Sequence, residues 1–90
     1  MDRTVWKFPV NADDGAGHFE IETPPGAKPV LFGIQNNVPC VWMEISNPYE
    51  PDTETHYFCL VGTGYDVPPN ATHFQSIQDG EYVWHLYVED

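Results

Sequence analysis

Two sets of carboxylates alternate with other residues in a way that suits the recognition of a cationic surface. They are Glu20 and Glu22 in one segment and Glu50, Asp52 and Glu54 in another. Residues two apart in an extended chain lie about 6.7 Å from each other on one face, and Pro51 favours an extended conformation at the residue before it. This pitch suits arginine and lysine sites built for a phosphate backbone, which rises about 3.4 Å per nucleotide on each strand. We therefore predict a partner-binding surface that mimics nucleic acid, with Tyr49 as an aromatic anchor; the alternative is a solvated strand face and loop.

The residues that could hold a metal ion or act as a nucleophile lack the spacing that either role needs. The candidates are His18, His56, His73, His85, Cys40 and Cys59 for a metal, and Ser46, Ser76 and the two cysteines for a nucleophile. The sequence has no Cys-x2-Cys pair and no His-x3–5-His pair, and neither serine lies in a Gly-x-Ser-x-Gly motif. We therefore predict no metal site, no cofactor and no catalytic residue, so that the protein is not an enzyme.

The charge of the chain restricts the class of partner. Its 90 residues (10.2 kDa) form one predicted domain, residues 1–90, and carry 14 acidic against 3 basic side chains, for a net charge of −11. The three cations are Arg3, Lys7 and Lys28. So few cations argue against direct binding to nucleic acid or to an anionic membrane, and favour a basic protein partner. The alternative is that the acidity serves only solubility.

The ends and the cysteines of the chain indicate where it acts. The first residues contain neither a basic segment nor the apolar run of a secretory signal, and no apolar run reaches the roughly 20 residues that span a bilayer. We therefore expect a cytoplasmic protein whose two cysteines stay reduced.

The elements that position these residues are predicted to be short strands. Prolines and glycines recur at short intervals, and no helical apolar stripe continues for three turns. The predicted strands cover residues 4–8, 18–22, 30–35, 40–45, 56–61, 72–78 and 81–88. The pattern predicts an all-β protein, a small antiparallel sheet, sandwich or barrel-like fold of about six or seven strands.

Two dipeptides predict hairpins. The Asn-Asn pair at 36–37 places Gln35 opposite Val38. The Asp-Gly pair at 79–80 suits a type I′ turn, which would place Gln78 opposite Glu81. The same register would place Phe74 opposite His85 and keep His73 and His85 from facing each other.

The last strand and the strand at 40–45 carry apolar residues on both faces. Such a strand is buried on both sides, or has one face covered by another chain. In a protein of this size the second case is credible, and it leads to the alternative of a homodimer.

Five segments resemble a family of small proteins of unknown function encoded by phages and bacteria. They read VWKFPV at 5–10, PPGAK at 24–28, QNNVPCVW at 35–42, VGTG at 61–64 and GEYVWHL at 80–86. The resemblance implies a phage or prophage setting and a cytoplasmic address, and, because that family has no assigned catalytic residues, it transfers no site to this chain. The strong acidity departs from this family and is a candidate source of the chain's own function.

These observations lead to one preferred interpretation and two alternatives. The preferred one is a non-enzymatic phage-type protein that binds a basic, nucleic-acid-binding host protein and blocks it, for example an anti-CRISPR inhibitor of host defence acting as a DNA mimic. The alternatives are a homodimeric structural or accessory module, and a small-ligand or nucleotide sponge with an aromatic pocket.

Overall fold

A computed structural model describes residues 3–10 and 17–89, which form seven antiparallel β-strands. The strands are β1 (Thr4–Pro9), β2 (Gly17–Thr23), β3 (Lys28–Gln35), β4 (Val38–Ile45), β5 (Glu54–Gly62), β6 (Ala71–Asp79) and β7 (Tyr82–Glu89). No helix occurs in these ranges. The predicted all-β fold is confirmed, and its two sheets do not close into a barrel.

The strands form a three-stranded sheet in the order β1-β4-β3 and a four-stranded sheet in the order β2-β5-β7-β6. Side chains from the inner faces of both sheets meet in one core, which contains Phe32, Met43, Phe58 and Leu86, all fully buried. The ring of Phe19 stacks on that of Phe58 with a centroid distance of 5.3 Å. The two sheets therefore share one hydrophobic core.

The β3–β4 hairpin has the predicted register, with Gln35 opposite Val38. Asn36 and Asn37 have φ angles of 53° and 67°. Positive φ at both central residues is what a type I′ turn requires, and asparagine tolerates it better than most residues.

The β6–β7 hairpin has a different register from the predicted one. Asp79 remains in β6 opposite Tyr82, and Gly80, with a φ of 61°, is the first turn residue. A glycine at the first central position is typical of a type II′ turn. The turn residues are therefore 80 and 81, and the predicted turn at 79–80 is wrong by one residue. As a result Ser76, and not Phe74, lies opposite His85.

A β-bulge interrupts β6 between His73 and Gln75. Phe74 packs against the core. The Gln75 side chain accepts a hydrogen bond from the Phe32 N–H (3.0 Å) and donates one to the Phe32 carbonyl (2.8 Å). Gln75 thus replaces a missing strand partner for β3 and ties together the edges of the two sheets.

Candidate functional site

The acidic residues of β2 lie on the outer face of an edge strand. Glu20 and Glu22 are exposed, while Phe19 and Ile21, which alternate with them, point toward the core. This alternation is the one expected for a strand with one buried face. Glu20 lies directly opposite Tyr57 of β5, whose ring is also exposed.

The loop between β4 and β5 is held against the end of β2. Glu54 pairs with Thr23 in the strand register, and its Oε2 accepts a hydrogen bond of 2.9 Å from the N–H of Gly26. Gly26 has a φ of 89°, which favours glycine at this turn. Asn47 adds a second connection, since its Nδ2 donates to the carbonyl of Pro25 at 3.3 Å.

A buried hydroxyl stabilises the same corner from the inside. Thr23 is 1% exposed, and its Oγ1 donates to the carbonyl of Pro24 at 2.9 Å. The same oxygen is 2.8 Å from Nε2 of His56. Because the threonine has one hydrogen and uses it on Pro24, His56 must donate its Nε2–H to the threonine.

All six residues predicted to bind a partner therefore belong to one edge of the four-stranded sheet and the loop beside it. Tyr49, Glu50 and Asp52 are exposed in the loop, and Tyr49 is exposed over 89% of its surface. Glu22 and Glu54 lie nearest the joint between loop and sheet, and Glu20 lies two residues further along β2. Of the six, Glu54 already has a partner inside the fold.

The three cations of the chain all belong to the other sheet. Arg3, just before β1, forms a 3.1 Å ion pair with Glu44 of β4. Lys7 of β1 donates to Oε1 of Gln35 at 2.6 Å. Lys28 of β3 lies opposite Glu44 in the strand register. The three-stranded sheet thus has three cations for one carboxylate among the described residues.

The rest of the described chain has nine carboxylates and no lysine or arginine. They are Glu20, Glu22, Glu50, Asp52, Glu54, Asp66, Asp79, Glu81 and Glu89. Among the described residues, charge is therefore divided between a side with the three cations, at the three-stranded sheet, and an anionic side formed by the four-stranded sheet and the loops.

A shallow groove of about 330 Å³ opens on the anionic side. It is lined by Tyr57, Pro68, Pro69, Asn70 and Glu89. Oε2 of Glu89 also lies 2.9 Å from Nδ1 of His18. The His18 side chain starts on the edge strand β2 and extends across β5 to make this contact. An aromatic ring beside a carboxylate is a suitable surface for a cationic side chain.

A second polar cluster on the outer face of the four-stranded sheet was not predicted from the sequence. Oγ of Ser76 lies 2.6 Å from Nδ1 of His85 and 2.8 Å from Nε2 of His73. Nε2 of His85 lies 3.0 Å from Oγ1 of Thr63. The register predicted from a turn at 79–80 placed Phe74, and not Ser76, opposite His85. A turn at 80–81 with glycine in the first position gives the observed pairing of Ser76 with His85.

The two cysteines are buried free thiols in different sheets. Burial raises the pKa of the Cys59 thiol, and the carboxylate of Glu89 raises it further. Within residues 3–10 and 17–89, no three histidine, cysteine or acidic side chains come together as metal ligands.

Comparison with known proteins identifies a family but no characterised relative. The described part of the chain has no helix that is long and apolar enough to cross a membrane. No curated protein and no solved structure matches the chain. A family model described as a domain of unknown function matches residues 1–90. Because this match covers the chain from end to end, the protein belongs to the family DUF7352.

Proposed function

We propose that this protein is a non-enzymatic interaction protein of phage type, which binds the basic, nucleic-acid-binding site of a host protein and blocks it. In its concrete form the partner is a host defence effector in the cytoplasm, and the protein is an anti-CRISPR inhibitor that mimics DNA. The six residues assigned to the interface are Glu20, Glu22, Tyr49, Glu50, Asp52 and Glu54.

The division of charge between the two sheets is the observation that carries this proposal. Three cations and one carboxylate lie on the three-stranded sheet, whereas the remaining described chain holds nine carboxylates without a lysine or arginine. A solubilising charge has no need to be separated in this way. A separated charge, in contrast, orients the molecule as it approaches a basic surface and raises the association rate.

The edge formed by β2 and the β4–β5 loop is the part of the anionic side best suited to contact. Its carboxylates Glu20, Glu22, Glu50 and Asp52 are exposed, and Tyr49 projects beside them. The loop is fixed to the sheet through Glu54 and Asn47, so little ordering is needed when it binds. Preorganisation of this kind lowers the entropic cost of association.

Cleavage of target DNA by purified RNA-guided effector nucleases tests the proposal. The assay compares the wild-type chain with Glu20→Lys/Glu22→Lys and with Glu50→Lys/Asp52→Lys. Glu54 is left unchanged because its carboxylate holds Gly26 in the folded chain. The control, Asp66→Lys/Glu81→Lys, makes the same change in net charge at two exposed residues outside this edge.

We expect the wild-type chain and the control to slow cleavage by at least one effector, and both edge variants to lose most of this inhibition. If no effector in the panel is inhibited, the anti-CRISPR form of the proposal is wrong. If the edge variants and the control inhibit equally, the edge is not the interface.

The outer face of the three-stranded sheet favours a second candidate, a homodimeric structural or accessory module. Val5, Leu31 and Val38 are 52%, 46% and 40% exposed on this sheet, and exposed apolar side chains on one face can contribute to a site of association. Sedimentation of the wild-type chain and of Leu31→Glu tests it: a stable dimer lost in the variant supports this candidate. The small-ligand or nucleotide sponge stays a prediction that a thermal shift with a nucleotide panel would test.

A further inference from the structure

The four polar side chains Thr63, His85, Ser76 and His73 form a continuous hydrogen-bonded chain on the outer face of the four-stranded sheet. The contacts in this order measure 3.0, 2.6 and 2.8 Å. They come from three places: the segment after β5, strand β7 and strand β6. Ser76 stands at the centre and is exposed to solvent.

The hydrogens of this chain determine what Ser76 can do. A serine hydroxyl has one hydrogen, so it donates to one histidine and accepts from the other. When Ser76 donates to His85, the other nitrogen of His85 carries a hydrogen for Thr63, and His73 donates to Ser76. When the direction is reversed, His73 is the acceptor. In both directions a neutral imidazole is in place to remove the serine proton.

The fold holds these groups in position. Residues three apart on a regular strand point to opposite faces, yet His73 and Ser76 meet because of the bulge at Phe74. Phe74 packs against the core and Gln75 is bonded to Phe32, so the bulge is fixed from the inner side. The His73 ring also packs edge-on against Tyr87 at a centroid distance of 5.3 Å.

We propose that Ser76 is a nucleophilic serine and an acylation site, whose acyl donor is an activated carboxylic ester. The Ser76 Oγ forms a bond to the ester carbonyl carbon while its proton moves to Nδ1 of His85 or Nε2 of His73. The carbon–oxygen bond to the leaving group then breaks, and the released alcohol or phenol carries away the proton. A nucleophile, a base and a third group that orients the base are the components that such a step requires.

The reaction with p-nitrophenyl acetate, followed by peptide mapping, tests this site. The chain has two serines, so Ser46, which lies just after β4, is an internal control. The same reaction in urea controls for the folded arrangement. The variants are Ser76→Ala, His73→Gln, His85→Gln and the double His73→Gln/His85→Gln, all at exposed or half-buried residues that do not contribute to the core.

We expect Ser76 to be acetylated at least about 100-fold faster than Ser46, since a general base contributes a factor of roughly 10² to 10⁴. Each single histidine variant is expected to keep part of this advantage, because the other histidine can accept the proton. The double variant and the urea-unfolded chain are expected to lose it. Equal acetylation of Ser76 and Ser46 in the folded chain, or an undiminished rate in the double variant, would overturn the proposal. The outcome is independent of the partner-binding function.

Discussion

Replacing Gln75 by leucine is expected to destabilise the protein, because this half-buried side chain joins the two sheets. The Gln75 amide makes two hydrogen bonds to the backbone of Phe32, at 3.0 and 2.8 Å, and Phe32 is fully buried. Leucine has a similar size but removes both bonds and leaves the N–H and the carbonyl of Phe32 without partners. At about 1 kcal/mol for each lost bond, the free energy of unfolding is expected to fall by about 2 kcal/mol.

Urea unfolding and thermal melting measure this loss. For a domain of this size, 2 kcal/mol corresponds to a fall of roughly 8–16 °C in Tm. Gln78→Leu is the matched control, because Gln78 lies on the same strand and is exposed. An exposed residue of this kind is expected to change stability by less than about 0.5 kcal/mol.

A glutamate at the same position separates hydrogen bonding from packing. The Gln75→Glu variant keeps the shape and the acceptor for the Phe32 N–H but loses the donor for its carbonyl. When the carboxyl is protonated it can donate again, so stability relative to wild type is expected to recover as the pH falls toward about 4.3, the ordinary carboxyl pKa, and the recovery is complete below that value. Equal stability of Gln75→Leu and Gln78→Leu would refute the bridging role of Gln75.

Three further predictions concern other parts of the fold. Asn37→Ala is expected to lower the free energy of unfolding by about 1 kcal/mol, because Asn37 has a φ of 67°. Asn37→Gly is expected to leave it unchanged, since glycine adopts this φ without strain. Equal losses of stability in urea unfolding of the two variants would contradict this reasoning. Thr23→Val is expected to cost about 2 kcal/mol through the lost bonds to Pro24 and His56, and Thr72→Val, at an exposed position, is the control that should leave Tm unchanged. The raised pKa of Cys59 means that its contribution to stability is complete below the ordinary thiol pKa of about 8.5 and is lost as the pH rises through the folded value. The wild-type chain is therefore expected to lose more stability than Cys59→Ala between about pH 8 and pH 10. If the free energies of unfolding of the two proteins fall in parallel over this range, Cys59 is not the group responsible.

The sheet could be predicted from the sequence where local residue types determine the backbone. The Asn36–Asn37 pair sets both the turn and the register of β3 and β4, because both residues accept positive φ. The alternation of Glu20 and Glu22 with Phe19 and Ile21 likewise identifies the two faces of β2. In these segments local preference and tertiary packing agree.

The Ser76 cluster could not be predicted because two features combine over a distance. The turn after β6 allows Gly80 to occupy either central position, and each choice gives a different register. The bulge at Phe74 is stabilised by the hydrogen bonds between the Gln75 side chain and the backbone of Phe32 on the other sheet, 43 residues away in sequence. A contact of that kind leaves no local pattern, so His73 and His85 looked unrelated.

The acidic residues of β2 and of the β4–β5 loop could be recognised from the sequence, but neither their place at one edge of the four-stranded sheet nor the attachment of the loop was predicted. Glu50 and Asp52 could be recognised from their spacing, whereas the bond from Gly26 to Glu54 depends on how the loop returns to β2. The separation of charge between the sheets also depends on strand order, because β1, β3 and β4 bring Arg3, Lys7 and Lys28 together only after folding.

Competition between this protein and target DNA for a purified effector nuclease, measured over a range of salt concentrations, tests the central claim most directly. The screening length falls from about 10 Å at 0.1 M to about 3 Å at 1 M salt. Binding through the carboxylates at the edge formed by β2 and the β4–β5 loop is therefore expected to weaken steeply as the salt concentration rises. DNA is expected to displace the protein, and Glu50→Lys/Asp52→Lys is expected to remove binding. A complex that holds protein and DNA together, or an affinity that does not change with salt, would contradict the account.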